Sequence, residues 1–135
     1  MKSESRVRVL LTDDHDGVRH AVYSLLNSYS DLEVVGEATN GLEAIHFAAG
    51  LQPDVIVMNI NMPILDGVKA THMIKARHPH MIVLGLSVET RKERVAEMLS
   101  AGASTVLRKE AACDQLHAAI CSYTRNFLRS ETGLL

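Results

Sequence analysis

The sequence predicts an α/β fold, a doubly wound parallel sheet of five strands with helices on both faces. Three observations carry this prediction. Short runs of Val, Ile and Leu alternate along the chain with longer segments of helical period. The connections between them are short, as in successive β–α units. The apolar runs are near-continuous rather than alternating with polar residues, so both faces of each strand are covered, which is the habit of a parallel sheet.

The elements follow in order. Residues 7–11 form the first apolar run, and Val18, Val22, Leu25, Leu26 and Tyr29 then recur at i, i+4, i+7, i+8 and i+11, one face of a helix. Residues 33–38 are the second strand. Asn40-Gly41 opens a helix carrying Leu42, Ala44, Ile45 and Ala48. Residues 55–58 are the third strand, and Asp66-Gly67 opens a helix with Val68, Ala70, Met73 and Ile74 that stops near His78-Pro79. Residues 81–86 form the fourth strand, and residues 92–101 a helix ending at Gly102. Residues 105–107 form the fifth, and Leu116, Ile120, Tyr123 and Phe127 mark the last helix. Residues 1–126 read as one domain. Residues 127–135, with the tail "LRSETGLL", either end that helix or begin a linker to a further domain.

At 135 residues the chain is long enough to bury a sizeable core. Apolar residues make up 47% of it, charged residues 22%, and the net charge is −2, so the overall balance suggests neither a nucleic-acid nor a membrane surface. No apolar stretch approaches the ~20 residues of a spanning helix. Cys113 and Cys121 stand eight apart, a spacing for neither zinc nor a redox pair, and read as reduced thiols of a cytoplasmic protein. The seven histidines include no H-E-x-x-H pattern and read as solvated helix residues rather than as a metal site.

In a sheet of order 2-1-3-4-5, ligands bind beyond the carboxyl ends of the strands, where the first and third lie side by side. Polar residues gather there. Thr12-Asp13-Asp14-His15 follows the first strand, Asn59 and Asn61 the third, Ser87 the fourth and Arg108-Lys109 the fifth. Singly, Asp14 reads equally well as a helix cap, Ser87 as a turn residue and Lys109 as a solvated charge. Together at one edge they read as a site. Adjacent carboxylates suit Mg²⁺, and a lysine and a hydroxyl suit phosphoryl oxygens. The nucleophile is missing: Asn59 is an amide where an aspartate could accept a phosphoryl group.

These residues resemble the receiver domain of two-component response regulators, especially the NarL/FixJ (LuxR-type) transcription factors. "VLLTDDHDGVRHAV", "EVVGEATNGLEAI", "PDVIVMNINMPILDG", "HPHMIVLGLSV" and "AGASTVLRKE" carry the resemblance, which extends from Arg6 to Tyr123. It implies a flavodoxin-like, CheY-like (βα)5 fold. It also implies that Asp13 and Asp14 hold Mg²⁺ with the backbone carbonyl of Asn61, that Ser87 is the switch hydroxyl, and that Lys109 pairs with the phosphoryl group. Asn59 stands at the phosphoacceptor position, which leaves Mg²⁺ binding weak or absent. Val106 stands where the family often has Tyr or Phe. Glu110 replaces the proline that commonly follows the lysine, so a cis Lys109–Glu110 bond is disfavoured but open.

Two histories are consistent with Asn59: an aspartate replaced to hold the domain unphosphorylated, or a receiver that works without phosphate. The resemblance implies no enzyme, but a signalling switch fed by a sensor histidine kinase, capable of homodimerising, and reaching DNA only through a C-terminal helix-turn-helix domain that this chain lacks. A phosphate-independent interaction module is the alternative. A flavin carrier or phosphatase on the same scaffold fits less well, since the Asp13-Asp14-His15-Asp16 loop repels phosphate unless a metal intervenes.

Overall fold

The computed structural model describes residues 6–88 and 91–132, with side chains described up to residue 125. Five strands form one parallel sheet in the order β2-β1-β3-β4-β5, as the sequence predicts. They are β1 (Val7–Thr12), β2 (Leu32–Ala38), β3 (Val55–Asn59), β4 (Ile82–Ser87) and β5 (Thr105–Arg108). The helices between and after them are α1 (Asp16–Asn27), α2 (Gly41–Leu51), α3 (Gly67–Arg77), α4 (Lys92–Ala101) and α5 (Ala112–Thr132), the last entered through a 3-10 turn at Lys109–Ala111.

The sheet divides the core in two. On one face Val9, Leu11, Val57, Leu84 and Leu86 pack against Val22 and Leu26 of α1 and Leu116 and Ile120 of α5. On the other, Leu10, Ile56, Met58 and Val83 meet Ala44 and Ala48 of α2, Ala70 and Ile74 of α3 and Met98 of α4. β3 lies at the centre with all five of its residues buried, which explains its unbroken apolar run. Leu42 and Met73 fall outside this pattern. Their apolar character and spacing predict a place on the buried faces, but they are 54% and 41% exposed, because the faces that meet the sheet run through Ala44 and Ala48 and through Ala70 and Ile74, and Leu42 and Met73 lie off them.

Four strands run one residue further than their apolar runs, taking in Thr12, Asn59, Ser87 and Arg108. Each remains in register with a neighbour: Thr12 with Met58, Asn59 with Leu86, and Ser87 with Arg108. Ladder hydrogen bonds join backbone groups and are indifferent to side-chain polarity. Asn59 and Ser87 therefore stand on the rigid sheet, not on a loop. α5 continues to Thr132, so part of the tail is helical; the Phe127 side chain and residues 133–135 lie outside the described residues. Among the described residues every peptide bond is trans, Lys109–Glu110 included.

Candidate functional site

The carboxyl ends of β1, β3 and β5 meet at a small acidic corner. Asp13 follows β1 directly and is only 1% exposed. Burying a carboxylate is costly unless it has a charge partner and hydrogen bonds, and Asp13 has both. Its Oδ1 accepts from the His15 backbone N–H at 2.9 Å, and its Oδ2 lies 2.9 Å from the Lys109 ammonium. The Lys109 side chain is 11% exposed, so its reading as a solvated surface charge is set aside. Asp14 does not cap α1 either. The N-cap is His15, with no side-chain cap bond, and the exposed Asp14 turns its Oδ1 to Asn59.

Asn59 binds the corner together. Its Nδ2 donates to Asn61 O at 2.8 Å, to Asp14 Oδ1 at 3.0 Å and, more weakly, to Asp13 Oδ1 at 3.3 Å. The environment dictates this orientation of the amide: three acceptors face one point, and only the NH₂ end can serve them. Two carboxylate oxygens and a backbone carbonyl are the hard-oxygen set that suits a small divalent cation. In this protein a neutral donor stands at the point where they converge. An ion at that point and the three amide hydrogen bonds are thus alternatives.

Neighbouring residues hold the corner in place. The nearly buried Arg19 of α1 donates to the backbone carbonyl of Asp13 at 2.9 Å and pairs with Asp16 and Glu37. Burial disfavours its charge, but the bonds to Asp16 and Glu37 outweigh that and hold the guanidinium pKa above its ordinary value. On the β3 side, the Gly67 N–H donates to Ile60 O at 2.7 Å, and a Cβ at Gly67 would collide with the Asn59 carbonyl oxygen. Glycine is required here for the close approach of α3 to the strand end. Arg94 of α4 reaches across to Asn61 Oδ1 at 2.9 Å and Asp66 Oδ2 at 3.5 Å.

Arg19 and Arg94 were absent from the sequence reading. A signal for Arg19 existed, since it lies three residues before Val22 and seven before Leu26, in phase with the buried face of α1. Arg94 gave none, because its partners lie 33 and 28 residues away.

Ser87 and Val106 take less central places. Ser87 is buried as the last residue of β4, a strand residue rather than a turn residue, one step beyond the partner of Asn59. Val106 pairs with Gly85 in the ladder and packs with the core under α2, α3 and α4, with no part in the polar network. A Cβ at Gly85 would come within 3.1 Å of Val106 Cγ2. The side chain at position 106 thus bears on the β4 backbone two residues before Ser87.

The response regulator receiver domain family matches residues 9–121. The transcriptional regulatory protein LnrK of Bacillus subtilis is 37% identical over 114 residues, 84% of this chain and 52% of that protein. The response regulator protein VraR of Staphylococcus aureus is 44% identical over 96 residues, 71% of this chain and 46% of that protein. The chain thus spans about half the length of these relatives. In three dimensions, the signal receiver domain of the response regulator NarL from Mycobacterium tuberculosis superposes with a TM-score of 0.85 at 27% identity, over 90% of this chain and 98% of that one. Fold, strand order and a match across most of the sequence agree, and the chain belongs to the family of response regulator receiver domains.

Proposed function

We propose that this chain is the signal-accepting domain of a LuxR/NarL-type response regulator in which Asn59 occupies the phosphoacceptor position. The single observation behind this reading is the bonding of Asn59 Nδ2 to Asp13, Asp14 and the Asn61 carbonyl. In an active site of this kind, an acceptor carboxylate and those oxygens would together hold a cation. With aspartate at position 59, Asp13, Asp14 and Asn61 O would hold Mg²⁺, whose charge offsets that of a transferring phosphoryl group. Lys109 would release Asp13 to pair with the phosphoryl oxygens, and Ser87 would donate its hydroxyl to them. Val106 leaves that hydroxyl without the coupled aromatic that the family often uses. The phosphoryl source would be a sensor histidine kinase, and the output a DNA-binding domain beyond this chain. Its role is that of a switch, not an enzyme.

A second reading rests on the same hydrogen bonds. The amide by itself donates to all three oxygens and holds the corner in one arrangement, which suits a phosphate-independent interaction module.

Labelling tests the first reading. Asn59→Asp restores an oxygen nucleophile, and acetyl phosphate should then add one phosphoryl group, seen by intact mass, dependent on Mg²⁺ and lost at alkaline pH. The Asn59 protein should not label under the same conditions. Labelling of the Asn59 protein would place the acceptor elsewhere, with Asp13 and Asp14 the first suspects. Failure of the Asn59→Asp form to label would favour the phosphate-independent module.

A further inference from the structure

On the side of the molecule where α5 passes the α1–β2 turn, three side chains meet that have no part in the acidic corner. His117 and Cys121 are one helical turn apart on α5, and Asp31 comes from the turn before β2. The His117 Nε2 lies 3.1 Å from Asp31 Oδ2 and 3.5 Å from Cys121 Sγ, and that sulfur lies 3.6 Å from the same Asp31 oxygen. The turn is anchored by the Val7 N–H, which donates to the Asp31 carbonyl at 2.9 Å. The imidazole is held flat against Tyr29, with ring centroids 3.8 Å apart and planes 2° from parallel.

A thiol, an imidazole and a carboxylate also suggest nucleophilic catalysis, but the geometry opposes it. Both Asp31 and Cys121 address the same ring nitrogen, whereas a hydrolytic triad places the carboxylate on one nitrogen and the nucleophile on the other. Burial and the Asp31 carboxylate also push the Cys121 thiol up, against the effect of Arg125, which is the reverse of what an activated nucleophile needs.

For a metal, one shared focus is the requirement. A tetrahedral Zn²⁺ with bonds of about 2.0–2.3 Å sets its N, O and S ligands about 3.3–3.6 Å apart. The triangle of Nε2, Oδ2 and Sγ has edges of 3.1, 3.5 and 3.6 Å. We infer that Asp31, His117 and Cys121 form a Zn²⁺ site, with a solvent molecule as fourth ligand. On binding, the Cys121 thiol gives its proton to solvent as the Zn–S bond forms, and His117 binds through its unprotonated Nε2. The exposed Asp31 carboxylate leaves the ion open to water, and the stacked Tyr29 ring limits the imidazole to one plane. Such an ion would tie α5 to the α1–β2 turn. The inference is independent of the state of Asn59.

Cobalt titration of the whole protein tests this directly. With Mg²⁺ in excess to occupy hard-oxygen sites, one equivalent of Co²⁺ should give the near-ultraviolet thiolate-to-metal band and visible bands of a tetrahedral ion, and Zn²⁺ should displace both. Cys121→Ser should abolish the thiolate band, and Cys113→Ser, at an exposed position outside the cluster, should leave it unchanged. Asp31→Asn should keep the band but weaken binding by at least about tenfold, a loss that even an outer-shell partner of a ligand can cause. This third variant changes only an exposed side chain, so it serves as the test should Cys121→Ser not fold. No thiolate band at one equivalent, a band that survives Cys121→Ser, or unchanged affinity in Asp31→Asn would each overturn the assignment.

Discussion

The Asn59 amide nitrogen sits 3.0 Å from Asp14 Oδ1, so the acidic pair faces a hydrogen-bond donor where a third carboxylate would repel it. Asn59→Asp should reverse that balance. In metal-free buffer the variant should unfold at lower urea, by about 1–3 kcal/mol, since the buried Asp13 and the partly buried bonds to Asp14 and Asn61 O lose their donor. Added Mg²⁺ should recover the loss, and the aspartate form should bind Mg²⁺ more tightly than the amide form. Urea curves with and without Mg²⁺, with direct Mg²⁺ titration of both proteins, give the comparison. Equal or tighter binding by the amide form would sink this account of the corner.

The Lys109–Asp13 pair leads to a second expectation. Lys109→Met removes the only cation within 4 Å of a carboxylate that is 1% exposed, among the described residues. Leaving one partner of a buried pair uncompensated costs about 3–5 kcal/mol. Because Asp13 keeps its bonds from His15 and Asn59, the lower end is expected. Asp13→Asn combined with Lys109→Met should cost less than the sum of the two single changes. Additive losses in chemical denaturation would show that the two groups are not coupled.

Two glycines should respond in opposite directions. Gly67→Ala sets a methyl group against the Asn59 carbonyl oxygen, and backbone must shift to admit it. A loss of about 2 kcal/mol or more is expected, within the range for overpacked sites. Gly50, on the exposed side of α2, has nothing within 4 Å of an added Cβ. Gly50→Ala should stabilise by about 0.5–1 kcal/mol, because alanine loses less backbone entropy in a helix. Thermal melts of the two variants beside the parent would separate the effects, and a neutral Gly67→Ala would contradict the contact.

Acid sensitivity should come in part from the start of α2. Asn40 caps the helix by accepting from the Glu43 N–H, and Glu43 Oε1 in turn accepts from the Thr39 N–H at 2.7 Å and its hydroxyl at 2.8 Å. The Thr39 backbone bond, followed by the hydroxyl bond, holds the Glu43 carboxyl below its ordinary pKa of 4.5, against a smaller effect of burial. A folded pKa below the unfolded one contributes stability that is complete above pH 4.5 and is lost as pH falls through the folded value. Glu43→Gln keeps an acceptor but does not titrate. Its stability should fall less steeply below about pH 4.5 than that of the parent. Parallel slopes in acid urea titrations would assign the sensitivity to other carboxylates.

Much of the site was legible because its chemistry sits at predictable places. Apolar runs locate strands, and in a parallel sheet of order 2-1-3-4-5 the residues at and just past their carboxyl ends face one edge, which makes Asp13, Asp14, Asn59, Asn61, Ser87 and Lys109 candidates for one site. Which of them touch could not be named that way. Asp14 was as good a cap as a site residue until its carboxylate was seen to face Asn59 rather than α1. Lys109 was indistinguishable from a solvated charge until its ammonium was placed against Asp13. The apolar runs stop one residue short of four strand ends because hydropathy reports burial, whereas pairing depends on the backbone.

By itself the sequence determined the alternation of strands and helices, the parallel character of the sheet and the amide at position 59, while the strand order was what the family resemblance implied. These follow from local periodicity, from turn residues and from the few topologies that short right-handed crossovers allow. Tertiary structure alone decided the direction of the Asn59 amide, the burial of Lys109, the reach of Arg94 and the meeting of Asp31 with His117 and Cys121, 86 and 90 residues further along the chain. Hydrogen bonds and ion pairs act over about 3 Å, and chain order carries no distance on that scale until packing has fixed every backbone that bears the groups.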